Sequence, residues 1–471
     1  MARVMTSTQI TNGDPKIIGR KAVWGWALYD WANSAFATTV MAGFFPIFFK
    51  TFWSHGVHAN LSTARLGFAN AIAGLIVALM APVLGAIADA GSARKKFLIF
   101  FAYQGALMAA ALFWIPRGGW QWAAAVYVLG VIGFSGANIF YDALLPLVSG
   151  EDRIDYVSGF GYALGYLGGG LLFLINVIMT VKPHLFGLAD AAQAVRYSFL
   201  SVAVWWGGFT VLTILWLPKE KSTSTGQGVL RTIRQSLNGL MATLKTVGRM
   251  KTVLLFLLAY WFYIDGVHTI IRMAVDYGIS LGFETDDLIT ALLMVQFIGF
   301  PSALLFGKLG QRLGARKGIF LGLWIYLGVT LWATRIDARH EFYILAAMIG
   351  LAQGGVQALS RSFYTRLIPQ NRSAEFFGFY NMLGKFAVII GPALMGIAGL
   401  WARSIMLPSS PTPQQLETIG QLASRWSIAS VALLFLIGGV LFYFVDERKG
   451  RQLHHFLSCV IIIIPGIYPI L

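Results

Sequence analysis

Cysteine is almost missing: Cys459 stands alone among 471 residues, so neither a disulfide framework nor a thiolate metal cluster is available. Charge is scarce too. Only 12% of residues are Asp, Glu, Lys or Arg, against 57% hydrophobic, and mean hydropathy is +0.68. A soluble fold cannot hide that much apolar surface, which leaves a polytopic helical membrane protein. The apolar segments do not alternate with polar residues, which excludes an outer-membrane barrel. There is no Walker loop, so ATP is not the energy source. Gly159-Phe-Gly161-Tyr-Ala-Leu-Gly165 has the wrong spacing for a nucleotide loop, and with Gly169 it gives the small-residue steps of a closely packed helix. His55 and His58 have no further ligands beside them, so no metal is expected, and nothing in the sequence asks for a cofactor.

What is present is length. Twelve apolar segments fit a transmembrane helix, near 23–49, 65–88, 97–115, 121–148, 156–181, 197–217, 252–276, 287–308, 318–334, 341–368, 374–402 and 426–445. The net charge of +16 is not that of a nucleic-acid binder, because Lys and Arg gather in alternate loops. One side holds roughly 24 basic residues and the other roughly nine, so the basic side, with both termini, is expected in the cytoplasm. Residues 1–21 are polar and carry no cleavable leader, and a multi-pass protein of the cell (inner) membrane is the expected setting. The polar stretch 218–251 divides two hydrophobic halves, 22–217 and 252–446, with a tail at 447–471. Within it, 230–247 reads either as an interfacial helix or as a plain basic linker.

The halves repeat. Gly85-Ala-Ile-Ala-Asp89 with Arg94 and Lys95 recurs as Gly307-Lys-Leu-Gly-Gln311 with Arg316 and Lys317. Arg153-Ile-Asp-Tyr-Val-Ser-Gly159-Phe160 recurs as Arg372-Ser-Ala-Glu-Phe-Phe-Gly378-Phe379, and Trp26-Ala-Leu-Tyr-Asp30 more faintly as Trp261-Phe-Tyr-Ile-Asp265. Three matches in one order mark structural copies.

Two six-helix halves with a basic loop after the second and eighth spans resemble the major facilitator superfamily, an all-α fold of twelve transmembrane helices. The signature loop is fuller in the second half (Gly307, Arg312, Gly314, Arg316) than in the first (Gly85, Asp89, Arg94), where Ala90 replaces a base. Trp26-Ala-Leu-Tyr-Asp-Trp-Ala-Asn-Ser-Ala-Phe36, Tyr263-Ile-Asp-Gly-Val-His-Thr-Ile270, Gln357-Ala-Leu-Ser-Arg-Ser-Phe-Tyr364 and Ala374-Glu-Phe-Phe-Gly-Phe-Tyr380 resemble the autophagy-related vacuolar effluxer-like family over about 22–446. The resemblance implies a transporter, and it favours amino acids because fungal members are associated with amino-acid efflux from the vacuole.

An ionisable group in hydrocarbon is a functional candidate by default. Such groups fall on the first, fourth, seventh and tenth spans, which line the central cavity in the superfamily that the chain resembles. Asp30, Asp265 and His268 are the candidates for proton coupling. Asn33, Asn138, Tyr141, Arg272, Gln353, Gln357, Asn381 and Lys385 are candidates for the substrate cavity. Helical spacing aligns them: Asp30 with Asn33, Asn138 with Asp142, Asp265 with His268 and Arg272, and Gln353 with Gln357 and Arg361. The competing reading is that these groups simply pair and hold the halves together. Asp142 and Arg361 occupy equivalent positions of the two repeats, hence one depth on facing walls, and are expected to form a cytoplasmic gate. The expected protein is a secondary active transporter of a small polar or zwitterionic metabolite, proton-coupled and functional as a monomer in the bilayer. Another solute class, a channel or a non-transporting receptor are the alternatives.

Overall fold

The computed structural model describes residues 19–56, 59–90, 92–218, 250–386, 390–408 and 412–448. The basic stretch after the sixth span and the tail beyond 448, with the helix-or-linker question at 230–247, lie outside them. Within the first half, α1 runs over Arg20–Trp53, α2 over Ala59–Ala90, α3 over Arg94–Ala111, α4 over Trp120–Val148, α5 over Ile154–Val181 and α6 over Ala191–Trp216. The second half holds α7 (Lys251–Ser280), α8 (Thr285–Leu313), α9 (Ala315–Ala333), α10 (Arg339–Leu367), α11 (Ser373–Phe386) and α12 (Ile390–Met406). It closes with α13 (Pro413–Ser430) and α14 (Ala432–Tyr443), which are separated by the single residue Val431. Ten of these helical stretches are long and apolar enough to cross a membrane. Their outward faces carry large apolar side chains such as Phe68, Leu79, Val204 and Leu305, as lipid-facing helices must.

Two features differ from expectation. The expected span at 374–402, described as α11 and α12 on either side of residues 387–389, is not one of them. The last span starts a dozen residues early, because Thr412 caps the helix at Pro413 through a reciprocal pair with Gln415. In α1 the α-helix of Arg20–Ala35 passes into a π-helical stretch at Phe36–Phe44, and a second one follows at Phe49–Trp53. Wider turns of this kind are rare and gather at functional sites.

Each half is tightened by glycines that admit a neighbour's backbone or ring. A Cβ on Gly133 of α4 would stand 2.6 Å from the Gly105 nitrogen of α3, and one on Gly105 would meet the Trp206 ring at 2.1 Å. The halves meet through two equivalent crossings. Where α2 crosses α11, a Cβ on Gly378 would lie 2.5 Å from the Ala81 carbonyl, and one on Gly85 would collide with the Ala374 carbonyl. Where α8 crosses α5, a Cβ on Gly159 would lie 2.6 Å from the Ala303 carbonyl, and one on Gly307 would lie 3.1 Å from that of Asp155. The repeated glycines of the sequence are thus the points at which the repeats touch each other.

The basic loops turn on the same plan. Gly314 leaves α8 with φ +90, a conformation that suits glycine, whereas its counterpart in the first half is Ser92, at φ +46. Asp89 accepts Arg94 Nε at 2.7 Å and the backbone N–H groups of Ala374 and Glu375 at 3.2 and 2.8 Å, the first turn of α11. Gln311, its counterpart, reaches across to the Asp152 carbonyl at 3.0 Å, just before α5.

A Gly133→Ala substitution has a fixed backbone in front of it and no flexible side chain to push aside. It should destabilise the first half by about 1–3 kcal/mol, read as a lower unfolding midpoint of the purified protein. Gly328→Ala, with nothing within 4 Å, serves as the control and should leave the midpoint unchanged.

Candidate functional site

One buried polar cluster is built jointly by α1, α4, α5, α10 and α11. Asp30 of α1 is buried. It accepts the Tyr141 hydroxyl at 3.1 Å and the Ser34 hydroxyl at 3.3 Å. Among the described residues it has no ion-pair partner. One turn along, Asn33 Nδ2 donates to Asn138 Oδ1 at 2.5 Å and ties α1 to α4. Trp26 completes the wall: its indole N–H donates to the Tyr141 carbonyl at 2.8 Å, and its ring stacks on Tyr141 at 4.4 Å.

Into this wall the second half inserts Arg361, only 2% exposed. Its Nη1 lies 3.1 Å from Asp142 Oδ1, its Nε 3.0 Å from Ser158 Oγ and its Nη2 2.9 Å from the Ser158 carbonyl. The guanidinium also sits 4.3 Å from the centre of the Tyr162 ring, 4.8 Å from Trp26 and 5.1 Å from Tyr141. Asp142 accepts a second bond from the other half, from Asn381 Nδ2 at 3.1 Å. A buried pair of this kind is costly to separate, since either partner alone is left as an unpaired charge in a dry place.

Toward the basic loops the ties between halves continue. Arg366 Nη2 lies 2.5 Å from Asp155 Oδ2, and Ser362 donates to the other oxygen of that carboxylate at 2.5 Å. Arg94 donates to the carbonyls of Gln370 and Asn371, and Ser373 to that of Ala143. This end of the bundle is sewn shut. The opposite end holds a cavity of about 200 Å³ between α1, α5 and α7–α10, walled by apolar side chains such as Phe173, Ile270 and Ile349. Its polar lining includes Thr38, Gln296 and Gln353. Gln296 Nε2 donates to Thr38 Oγ1 at 2.9 Å, which joins the halves at the cavity.

The candidate residues separate accordingly. Asp30, Asn33, Asn138, Tyr141, Asp142, Arg361 and Asn381 share the central cluster, while Gln353 lines the cavity and the partly buried Gln357 stands between it and Arg361 along α10. Asp265 stands elsewhere. Its carboxylate accepts the backbone N–H of Ile390 and of Gly391 at 3.1 and 3.0 Å, and the Thr269 hydroxyl at 3.1 Å. It therefore anchors the first turn of α12, with His268 on the same helix. The side chains of Arg272 and Lys385 lie outside the described residues. Ser158, Asp155 and Trp26 belong to the site but stand in the sequence only as members of repeated runs, and Tyr162 only as an aromatic residue that could shape a pocket but is more often packing. The repeat does align Asp155 with Ala374, at the two crossings between halves.

Four comparisons bear on this arrangement. The model of the family described as vacuole effluxer Atg22 like matches residues 18–65 and 62–399. A protein of Bacillus subtilis (strain 168), described as an uncharacterized MFS-type transporter YxiO, is 38% identical and aligns over 91% of this chain and 95% of its own. Autophagy-related protein 22 of Yarrowia lipolytica is 23% identical over 79% of this chain and 74% of its own. Among solved structures, the human organic anion transporter MFSD10 (TETRAN) superposes with a TM-score of 0.65 at 13% identity, covering 90% of this chain and 99% of that one. The proton:xylose symporter XylE gives 0.62 at 15% identity, over 92% and 96%. At that identity the two structures speak for the fold alone.

Removing one member of the central pair should leave the other buried and unpaired. Asp142→Asn and Arg361→Gln are each expected to cost the closed arrangement about 3–5 kcal/mol. The double substitution should cost clearly less than the sum, with a coupling above about 1 kcal/mol in a double-mutant cycle. Additive effects on the reactivity of a cysteine placed between the basic ends would mean that the two side chains act separately.

Proposed function

This chain belongs to the vacuole effluxer Atg22-like family of major facilitators, and on that footing we propose that it is a secondary active transporter working by alternating access. The observation that carries the reading is the unequal treatment of its two ends. One end is closed by Asp142–Arg361, Asp155–Arg366 and the Asp89 contacts, each of which crosses from one half to the other. The other end contains a cavity lined by Gln353, two turns along α10 from Arg361. A channel would need a continuous polar path, and here a dense set of paired groups closes one side. In this reading the basic end faces the cytoplasm, both termini lie there, and the conformation is the one closed toward the cell interior.

The cargo is a small polar or zwitterionic metabolite, with amino acids favoured by the effluxer relatives. Asp30 is the proton carrier. It is a buried carboxylate held by two hydroxyls and by no ion pair among the described residues, so it can take up a proton without breaking a salt bridge. Tyr141 links it to the wall that holds Arg361, so a change of charge at Asp30 is felt at the gate. Asp265, with His268 one turn along α7, takes a second role. Asp265 holds the N-terminus of α12, and a proton there would weaken the contact between α7 and α12.

Reconstitution into liposomes tests the reading. Saturable uptake with counterflow of a loaded amino acid is the expected result, whereas flux that never saturates and shows no exchange would identify a channel. Asp30→Asn should lose accumulation driven by a pH gradient while keeping exchange at equal pH on both sides. Asp265→Asn should instead lower the unfolding midpoint, because two backbone N–H groups of α12 lose their charged acceptor, a loss of about 1–3 kcal/mol.

A further inference from the structure

The group that Arg361 plugs is itself a binding site. Trp26, Tyr141 and Tyr162 place three aromatic faces around the guanidinium, and Asp142 and the Ser158 carbonyl supply the acceptors. Every one of these groups belongs to the first half, and Arg361 belongs to the second. Its side-chain hydrogen bonds to Asp142 and Ser158 all cross between the halves. When the basic end opens, Arg361 must therefore leave the site.

The aromatic wall of the site does not depend on its occupant for shape. The Trp26 indole is fixed by its bond to the Tyr141 carbonyl and by its stack on the Tyr141 ring. The Tyr141 hydroxyl is fixed by Asp30. Behind them Gly161 of α5 leaves no slack: a Cβ there would stand 2.5 Å from the Tyr141 hydroxyl and 2.7 Å from the Trp26 ring. These contacts lie within the first half, so the Trp26–Tyr141 wall keeps its shape after Arg361 withdraws, and Asp142 is the carboxylate left beside it without the bond from Arg361. Aromatic faces with an acid beside them are the chemistry that recognises a compact organic cation.

We propose that this cage binds the ammonium or guanidinium group of the transported solute, and that Arg361 is a tethered occupant which the solute's cation displaces. The inference rests on the transporter reading and deepens it, since it names the charge that the cargo carries and the residues that read it. It also supplies a trigger. Solute and gate compete for one site, so the basic end unlocks when cargo has arrived and relocks when the cage is empty. A ligand shifts the balance between two states by its differential affinity for them, and a cage filled by the protein in one state and free in the other provides that difference.

Methylguanidinium chloride is the probe. With full-length purified Arg361→Gly, it should raise the unfolding midpoint saturably, whereas sodium chloride at equal concentration should not. Adding Tyr162→Leu to that variant should abolish the rise. A second arm needs no change in the cage. In a Cys459→Ser background, Ser373→Cys reports on the closed end, and methylguanidinium should speed its modification at least about twofold as Arg361 is displaced. No saturable stabilisation of Arg361→Gly, or stabilisation that survives Tyr162→Leu, would overturn the cage. If Arg361→Gly does not fold, an unchanged rate at Ser373→Cys overturns it. Counterflow in liposomes separates the two readings: intact counterflow without cation binding removes the cage alone, and cation binding without counterflow removes the transporter reading.

Discussion

The absence of a side chain at four positions sets the terms for everything else in the molecule. Gly85 and Gly378 let α2 and α11 cross at backbone contact, and Gly307 and Gly159 do the same for α8 and α5. Hydrocarbon gives helices no hydrophobic reason to associate, so close van der Waals approach and the polar contacts it permits must hold the halves together. Only at that approach do the short side chains reach across: Asp89 to the N–H groups of α11, Ser158 to the carbonyl of Ala358, Ser362 to Asp155. With the helices an ångström further apart, those bonds would lengthen beyond use. The glycines are local and steric, the bonds polar and directional, and the second kind depends on the first.

Much of this was legible in the sequence because it is repeated. A recurring Gly-x-x-x-Asp or Gly-x-x-x-Gln before a basic pair, and a recurring Gly-Phe after an Arg, identify the duplication, and the same glycines prove to be the crossings. Asp142 and Arg361 could be matched because the repeat places them at one depth, and rarity of charge in an apolar helix singles them out. What the sequence left open was how the aromatic and neutral residues assemble. Trp26 and Ser158 lie in repeated runs and Tyr162 reads as packing or pocket, and only the fold brings three helices around one guanidinium. The boundaries failed for a related reason. Hydropathy tracks lipid exposure, so it does not register a cap at Thr412 or the π-helical winding within α1.

Asp265 shows the limit of rank by rarity. It sits at the repeat position of Asp30 and shares its burial, yet the two carboxylates have different surroundings. Asp30 meets hydroxyls and an aromatic wall, while Asp265 meets the exposed N–H groups that open a helix. A helix N-terminus inside a membrane has no water to satisfy it, so a carboxylate from a neighbouring helix is one of few ways to end it there. Duplication thus supplied two acids, and divergence of their neighbours gave one a helix to hold and the other two hydroxyls.

The closed basic end also makes the protein kinetically one-sided. A site reachable from a given side in only a fraction of molecules presents an apparent dissociation constant larger by the inverse of that fraction. If the sewn-up conformation dominates at rest, solute arriving on the cavity side finds its approach in most molecules and has only the tethered Arg361 to displace. Solute on the basic side must wait for a minority of molecules to open, and half-saturation there requires a proportionally higher concentration. Equilibrium accumulation is untouched by this, since it is fixed by the driving gradient. The asymmetry appears only in rates, as a carrier sensitive to traces on one side and responsive only to abundance on the other.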